Sequence, residues 1–327
     1  MSGLARRILF APVVLVAVAV ILYGSLRILR PDLYPGDPLL SGIVHDLNRA
    51  LLHLDLGCAP PGGTGSGARP SGKCLPVRVL LQRGMAADIW LLVGSIVIGG
   101  VGGVLGGLWC AGHPRARASR ALQAGAALAY CAPVYAVGLA LLLLFSPDVG
   151  LVHVPFFFDA EPRWVQPWNA PWDWFRQLLV PWIVLAAPLG AMCLRLTLSL
   201  TREAMDEDFV RTAEAKGVHR RDIVRRHAAP ISYPSTFSFL AVSAPLLITN
   251  MVLVERTLSV PGFFKYTWRA SGLADPSVMQ RDPAPDYALL SALCLWGAVL
   301  LIVLGLIADA IVSRLDPRVR SSHGQAW

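Results

Sequence analysis

Few side chains in this sequence are placed to do chemistry. His45 and His53 lie eight residues apart and invite a metal, but neither is clustered with further His, Cys or carboxylate ligands. No G-x-x-x-x-G-K-[ST] phosphate loop occurs, so the chain is expected to bind and hydrolyse no ATP itself. H-E-x-x-H, C-x-x-C and G-x-S-x-G are absent too, which removes the commonest metal, redox and hydrolase readings. What remains are isolated polar groups in apolar surroundings. Arg195 and Asn250 fall inside long apolar runs and are candidates for a translocation pathway. Arg27, Glu255, Arg256 and Asp309 stand at the edges of such runs, from which long side chains reach the nearer interface.

The elements that carry these groups are set by composition. The chain has 327 residues, 55% of them hydrophobic and 15% charged. Its mean hydropathy is +0.55. An ordinary soluble domain carries roughly a quarter of charged residues, so a polytopic membrane protein is the class that fits. A net charge of +8 does not mark a nucleic-acid partner, because the charges sit between the apolar runs. Six runs are long enough to cross a bilayer: Ile8 to Leu29, Ile89 to Ala111, Ala121 to Phe145, Leu178 to Leu200, Ser235 to Val254 and Tyr287 to Val312. The first is longer than a signal-peptide core and lacks a small-residue cleavage site, so it reads as an uncleaved helix. In the second, Gly99, Gly103 and Gly107 form small-xxx-small steps that suit close helix packing rather than gating. Pro133, Pro181, Pro188 and Pro245 lie within runs and are expected to bend them.

Lys and Arg bias orients the spans, with both termini cytoplasmic. On that reading the inner segments hold 15 basic residues and the outer ones 11, although the outer segments are about twice as long. The chain then divides into residues 1–30 (N-terminus and first helix), 31–88 (external loop), 89–313 (the core, with a cytoplasmic loop at 201–234) and 314–327 (tail). Cys58 and Cys74 flank the Gly/Pro-rich tip of the external loop, where an oxidising compartment permits a disulfide. Cys110, Cys131, Cys193 and Cys294 lie in or beside spans and read as small packing residues. A second external segment carries Phe156, Phe157, Phe158, Trp164, Trp168, Trp172 and Trp174, the composition of an interfacial aromatic belt.

The loop from Thr201 to Pro234 is the informative one, being long, charged and free of Pro between Glu203 and His227. Phe209, Val210, Ala213, Val218, Ile223 and Val224 recur among charges of both signs, a pattern compatible with two short helices hinged at Gly217. A protein-docking element and a merely solvated face both fit that pattern.

Resemblance separates the two. Glu207-Asp208-Phe209-Val210-Arg211-Thr212-Ala213-Glu214-Ala215-Lys216-Gly217, followed by Arg225-Arg226-His227-Ala228, resembles the cytoplasmic loop of ABC-importer permeases of the dipeptide, oligopeptide and nickel group. Pro35-Gly36-Asp37-Pro38, His53-Leu54-Asp55-Leu56-Gly57, Val254-Glu255 with Ser259-Val260-Pro261-Gly262, and Leu315-Asp316-Pro317-Arg318 resemble further signatures of that group, in its order. The EAA form of the loop found in other importers is replaced by Arg211-Thr212-Ala213, as in the peptide branch. Pro230 and Pro234 stand where that branch usually has one later Pro.

The resemblance implies an all-α permease of the type I importer fold with six transmembrane helices, lying in the inner membrane of a bacterium. It implies a second homologous permease, two ABC ATPases and an external solute-binding protein as partners. ATP and Mg would be used by the ATPases, with no cofactor on this chain. Carried over residue by residue, Ala213, Glu214, Ala215 and Gly217 form the core of the ATPase-docking site, with Asp208 and Arg211 beside it. The cargo implied is a di- or oligopeptide, with nickel or another small solute as the alternative. An ion-coupled secondary transporter would need mid-span carboxylates or inverted repeats, and the spans are nearly free of Asp and Glu.

Overall fold

The computed structural model describes residues 3–29, 38–59, 75–145, 165–271 and 286–315. Cys74, the Gly/Pro-rich tip (Pro60 to Gly67), Phe156 to Phe158, Trp164, Pro35 to Asp37 and Asp316 to Arg318 lie outside the described residues. Those described are almost all helical: α1 (Gly3–Leu29), α2 (Leu39–Leu47), α3 (Val77–Gly112), α4 (Arg117–Cys131), α5 (Val134–Phe145), α6 (Pro171–Met205), α7 (Asp208–Ala215), α8 (Arg220–Ile223), α9 (Ala229–Ser243), α10 (Leu246–Thr257), α11 (Thr267–Ala270) and α12 (Tyr287–Leu315). A two-residue antiparallel ladder pairs β1 (Cys58–Ala59) with β2 (Leu75–Pro76).

Four helices are long and apolar enough to cross a membrane, or up to six if each of two bent pairs makes one span. The third and fifth runs are those pairs, and neither is a single rod. The chain turns by 108° between α4 and α5, and by 56° between the segment Arg220–Ser243 and α10. Each break falls at an Ala-Pro step, Ala132-Pro133 and Ala244-Pro245, where the ring removes a donor and restricts the residue before it. By contrast α6 runs unbroken through Pro181 and Pro188.

Two helices exceed their expected spans. At about 1.5 Å per residue, the 36 residues of α3 extend ~54 Å, well beyond ~30 Å of hydrocarbon. Residues 77–88 are therefore helix, not loop. The apolar spacing of Leu80, Leu81, Met85 and Ala87 carries the helix past Arg83 and Asp88. α6 gains about two turns at its start, where Pro171 opens the helix and Asp173 lies in its first turn, near the positive end of its dipole.

By packing, the chain forms two units. The first comprises Met1–Ile89 with Pro261–Val303, the second Trp90–Val260 with Leu304–Trp327. In the second, the glycine stripe of α3 packs on α6. A Cβ at Gly103 would lie 2.6 Å from the Gly190 carbonyl oxygen, and one at Gly107 2.7 Å from that of Leu194. Only hydrogen fits where two backbones come this close.

Candidate functional site

The segment after α6 is built on the second unit. α7 opens after Glu207 in extended conformation, with Asp208 in its first turn. It closes in a Schellman motif. The Gly217 N–H donates to the Glu214 carbonyl at 2.9 Å and the Val218 N–H to that of Ala213 at 3.2 Å. Gly217 takes φ +77° to make this possible, the left-handed conformation that a Cβ disfavours. The two short helices hinged at Gly217 are thus α7 and α8.

One face of α7 is anchored. Val210 is buried with Cys110, Ala111, Leu198, Ala204, Met205, Ile223, Val224 and Ala228, and Ala213 packs against the same cluster. Full burial of a Val contributes about 1.5–3 kcal/mol, enough to hold an eight-residue helix that would not persist alone. The other face is open. Asp208, Arg211, Glu214, Ala215 and Gly217 are all exposed. A Cβ on Gly217 would meet no atom within 4 Å. Arg211 faces Asp208 at 3.7 Å, and Arg220 reaches Glu214 across the turn at 3.7 Å. Of the residues carried over for docking, Ala213 alone is turned toward the chain's own core.

Behind α7, two hydroxyl pairs fasten α9 to α6. Thr197 Oγ1 and Thr236 Oγ1 lie 3.2 Å apart, Thr201 donates to Ser232 Oγ at 3.4 Å, and Ser232 donates to the Ala229 carbonyl at 2.8 Å. All four side chains are buried. The loop between α3 and α4 joins the same face. His113 Nε2 accepts from Arg221 at 3.0 Å while Nδ1 donates to the Trp109 carbonyl at 3.0 Å. Residues 113 and 221 therefore share one side of the bundle, as the order of the spans requires.

Arg195 lies on the exposed face of α6 in a cavity of about 420 Å³ lined by Gln123, Ala124, Ala127, Leu198, Ser199 and Arg202. Asn250, half-buried on α10 just beyond the break at Pro245, is not among its lining residues. Cys58 is disulfide-bonded. The other described cysteines, Cys110, Cys131, Cys193 and Cys294, are free thiols. Among the described residues no group of three or more His, Cys, Asp or Glu is placed to hold a metal ion.

Sequence reasoning missed a seat in the first unit. Asp88 is fully buried, accepting the Phe263 N–H at 2.7 Å on one oxygen and the Trp296 indole N–H at 2.7 Å on the other. One turn away, a Cβ on Gly84 would lie 2.4 Å from the Phe263 nitrogen. Gly84 and Asp88, at i and i+4, thus receive the end of the Pro261-Gly262 element. A glycine and a carboxylate one turn apart, opposite a Pro-Gly turn, were the only signal. The Asp55-Leu56-Gly57 stretch is a turn of its own. Asp55 accepts from Arg49 Nε at 3.1 Å and from the Gly57 N–H at 3.2 Å. The hydrogen bond from Arg49, then that from Gly57, holds the Asp55 carboxyl below its ordinary range.

The sequence profile described as binding-protein-dependent transport system inner membrane component matches residues 103–321, about two-thirds of the chain. The chain is 26% identical over 254 residues to the probable peptide ABC transporter permease protein y4tP of Sinorhizobium fredii, covering 75% of this chain and 73% of that one. It is 27% identical over 246 residues to the dipeptide transport system permease protein DppB of Haemophilus influenzae, covering 72% and 68%. With the oligopeptide transport system permease protein OppB of Mycobacterium bovis it shares 26% identity over 251 residues, 76% of this chain and 74% of the other.

Proposed function

The chain belongs to the family of binding-protein-dependent transport system inner membrane components, and from that membership we propose that it is the permease through which an ABC importer passes di- or oligopeptides. It is a multi-pass membrane component of a transport system. The peptide cargo is supported by the names of the relatives, which are peptide, dipeptide and oligopeptide permeases. Nickel or another small solute is the alternative cargo on the same scaffold.

In this reading the chain sits in the bacterial inner membrane with both termini cytoplasmic. A second permease completes the pathway, an external binding protein delivers the solute, and two ATPases supply the work with their own ATP and Mg. This chain contributes no catalytic group. Asp208, Arg211, Ala213, Glu214, Ala215 and Gly217 form the docking site for one ATPase, and Arg195 and Asn250 line the pathway. Cys58 pairs with Cys74 on the external side.

The observation that carries the proposal is the exposed α7, capped at Gly217 and clamped through Val210 to the roots of α6 and α9. A short rigid helix fixed at both ends to spans passes a push from outside into the bundle as a rigid-body movement. The mixed charges on its open face give electrostatic selectivity for one ATPase surface. Proteoliposomes holding the assembled complex, with its binding protein, test the reading. They should accumulate labelled di- and tripeptides only when ATP is present on the α7 side. Accumulation without ATP, driven by an ion gradient, would contradict it.

A further inference from the structure

We propose that Arg195 and Arg202, with Gln123 opposite, form a site that takes a carboxylate of the transported solute. This rests on the peptide-importer reading and adds the group by which the permease itself holds its cargo.

Arg195 stands ten residues, about 15 Å, before the end of α6, and five residues before the end of the apolar run. Arg202 follows at i+7, on the same face and about 10 Å further along. Neither guanidinium has an ion-pair or hydrogen-bond partner among the described residues. An unpaired guanidinium at membrane depth is costly unless it lines a wet cavity or meets an anion. The first condition is at hand in the cavity, and the second is what the proposal supplies. The cavity of about 420 Å³ far exceeds the roughly 30 Å³ share of one water, so it is not a packing defect. Ala124 and Ala127 line its α4 side with side chains too short to fill it. Gln123 donates to Ser119 Oγ at 3.1 Å, which fixes its amide on the cavity wall.

Two guanidiniums and an amide are donors only to the extent that an acceptor arrives, and a carboxylate or phosphate is the acceptor that fits them. Depth separates the two sources. A lipid phosphate at the interface meets Arg202 at the helix end. It does not meet Arg195 as well, because the Cα–Cβ bonds of α6 tilt toward the helix N-terminus and carry the Arg195 side chain away from that interface. A solute in the cavity reaches both.

The test uses the complete complex in proteoliposomes, with labelled tri-alanine as the probe and saturating binding protein. Arg195→Gln should slow uptake roughly tenfold or more, the scale of losing a charged hydrogen bond. Arg195→Lys, which keeps the charge without the fork, should recover part of it. Assembly and co-purifying anionic phospholipid should stay as in the wild type. Arg202→Gln, at the helix end where folding is least at stake, should slow uptake in the same direction. Wild-type uptake by both Gln variants would overturn the site. So would loss of bound anionic lipid from Arg195→Gln with transport restored by added cardiolipin, which would make this a lipid pocket. If the wild-type complex takes up no peptide at all, the cargo reading fails first and the site with it.

Discussion

At Gly217 the backbone requirement and the surroundings point in different directions, and the difference is useful. The φ of +77° asks for a residue without a Cβ, while the space around it is empty. A substitution there meets a penalty of about 1–2 kcal/mol from the backbone and nothing from this chain's own side chains. Asn tolerates the left-handed conformation and Val does not. Gly217→Asn should therefore retain most transport, whereas Gly217→Val should lose it with insertion and abundance unchanged, as read by uptake alongside quantitative immunoblotting. Normal uptake by Gly217→Val at normal abundance would remove α7 from the coupling path. Asp55 shows the same economy on another loop. It draws its depressed pKa from Arg49 and Gly57, so its contribution is complete above the ordinary carboxylate range and is lost only as pH falls through the lower folded value.

Helices in this chain are positioned by close backbone approach and by buried polar contacts, and these two devices differ in how openly the sequence displays them. The stripe Gly99, Gly103, Gly107 was legible because small-xxx-small spacing has one main use in lipid, and it meets the α6 backbone at Ala186, Gly190 and Leu194. The hydroxyl pairs were legible only in hindsight. Thr197 and Thr201 are spaced i, i+4, as are Ser232 and Thr236, but nothing local says that one pair faces the other. Asp88 was hidden because the apolar run was read as starting just after it, at Ile89, while tertiary contacts with Phe263 and Trp296 satisfy its charge and let the helix extend through it. Replacing it tests this account. Asp88→Ala leaves a buried backbone N–H and a buried indole N–H without this acceptor, and should cost about 2–4 kcal/mol, seen as a lower midpoint of thermal unfolding in detergent. Trp296→Phe removes donor rather than acceptor and should cost less. Equal midpoints for Asp88→Ala and wild type would mean that the Pro261-Gly262 element is held by something else. The bends were only half legible: the expectation holds at Pro133 and Pro245 and fails at Pro181 and Pro188, and the sequence around all four reads alike.

For the molecule as a whole, composition excludes an ordinary soluble fold, and the ordered motifs point to the family from the sequence alone. Geometry added what those motifs are for. The Glu207–Gly217 stretch is a capped helix with one buried and one open face, Asp55-Leu56-Gly57 is a carboxylate-closed turn, and Pro261-Gly262 leads into a seat on α3. These are parts of a binding-protein-dependent transport system component, and α7 offers an open face on it. The most direct measurement is purification of the tagged chain from its native membrane in mild detergent, with mass spectrometry and stoichiometry of what accompanies it. The account predicts one second permease and two ATPase subunits per copy. Recovery of the chain alone, or only with further copies of itself, even after crosslinking, would contradict it.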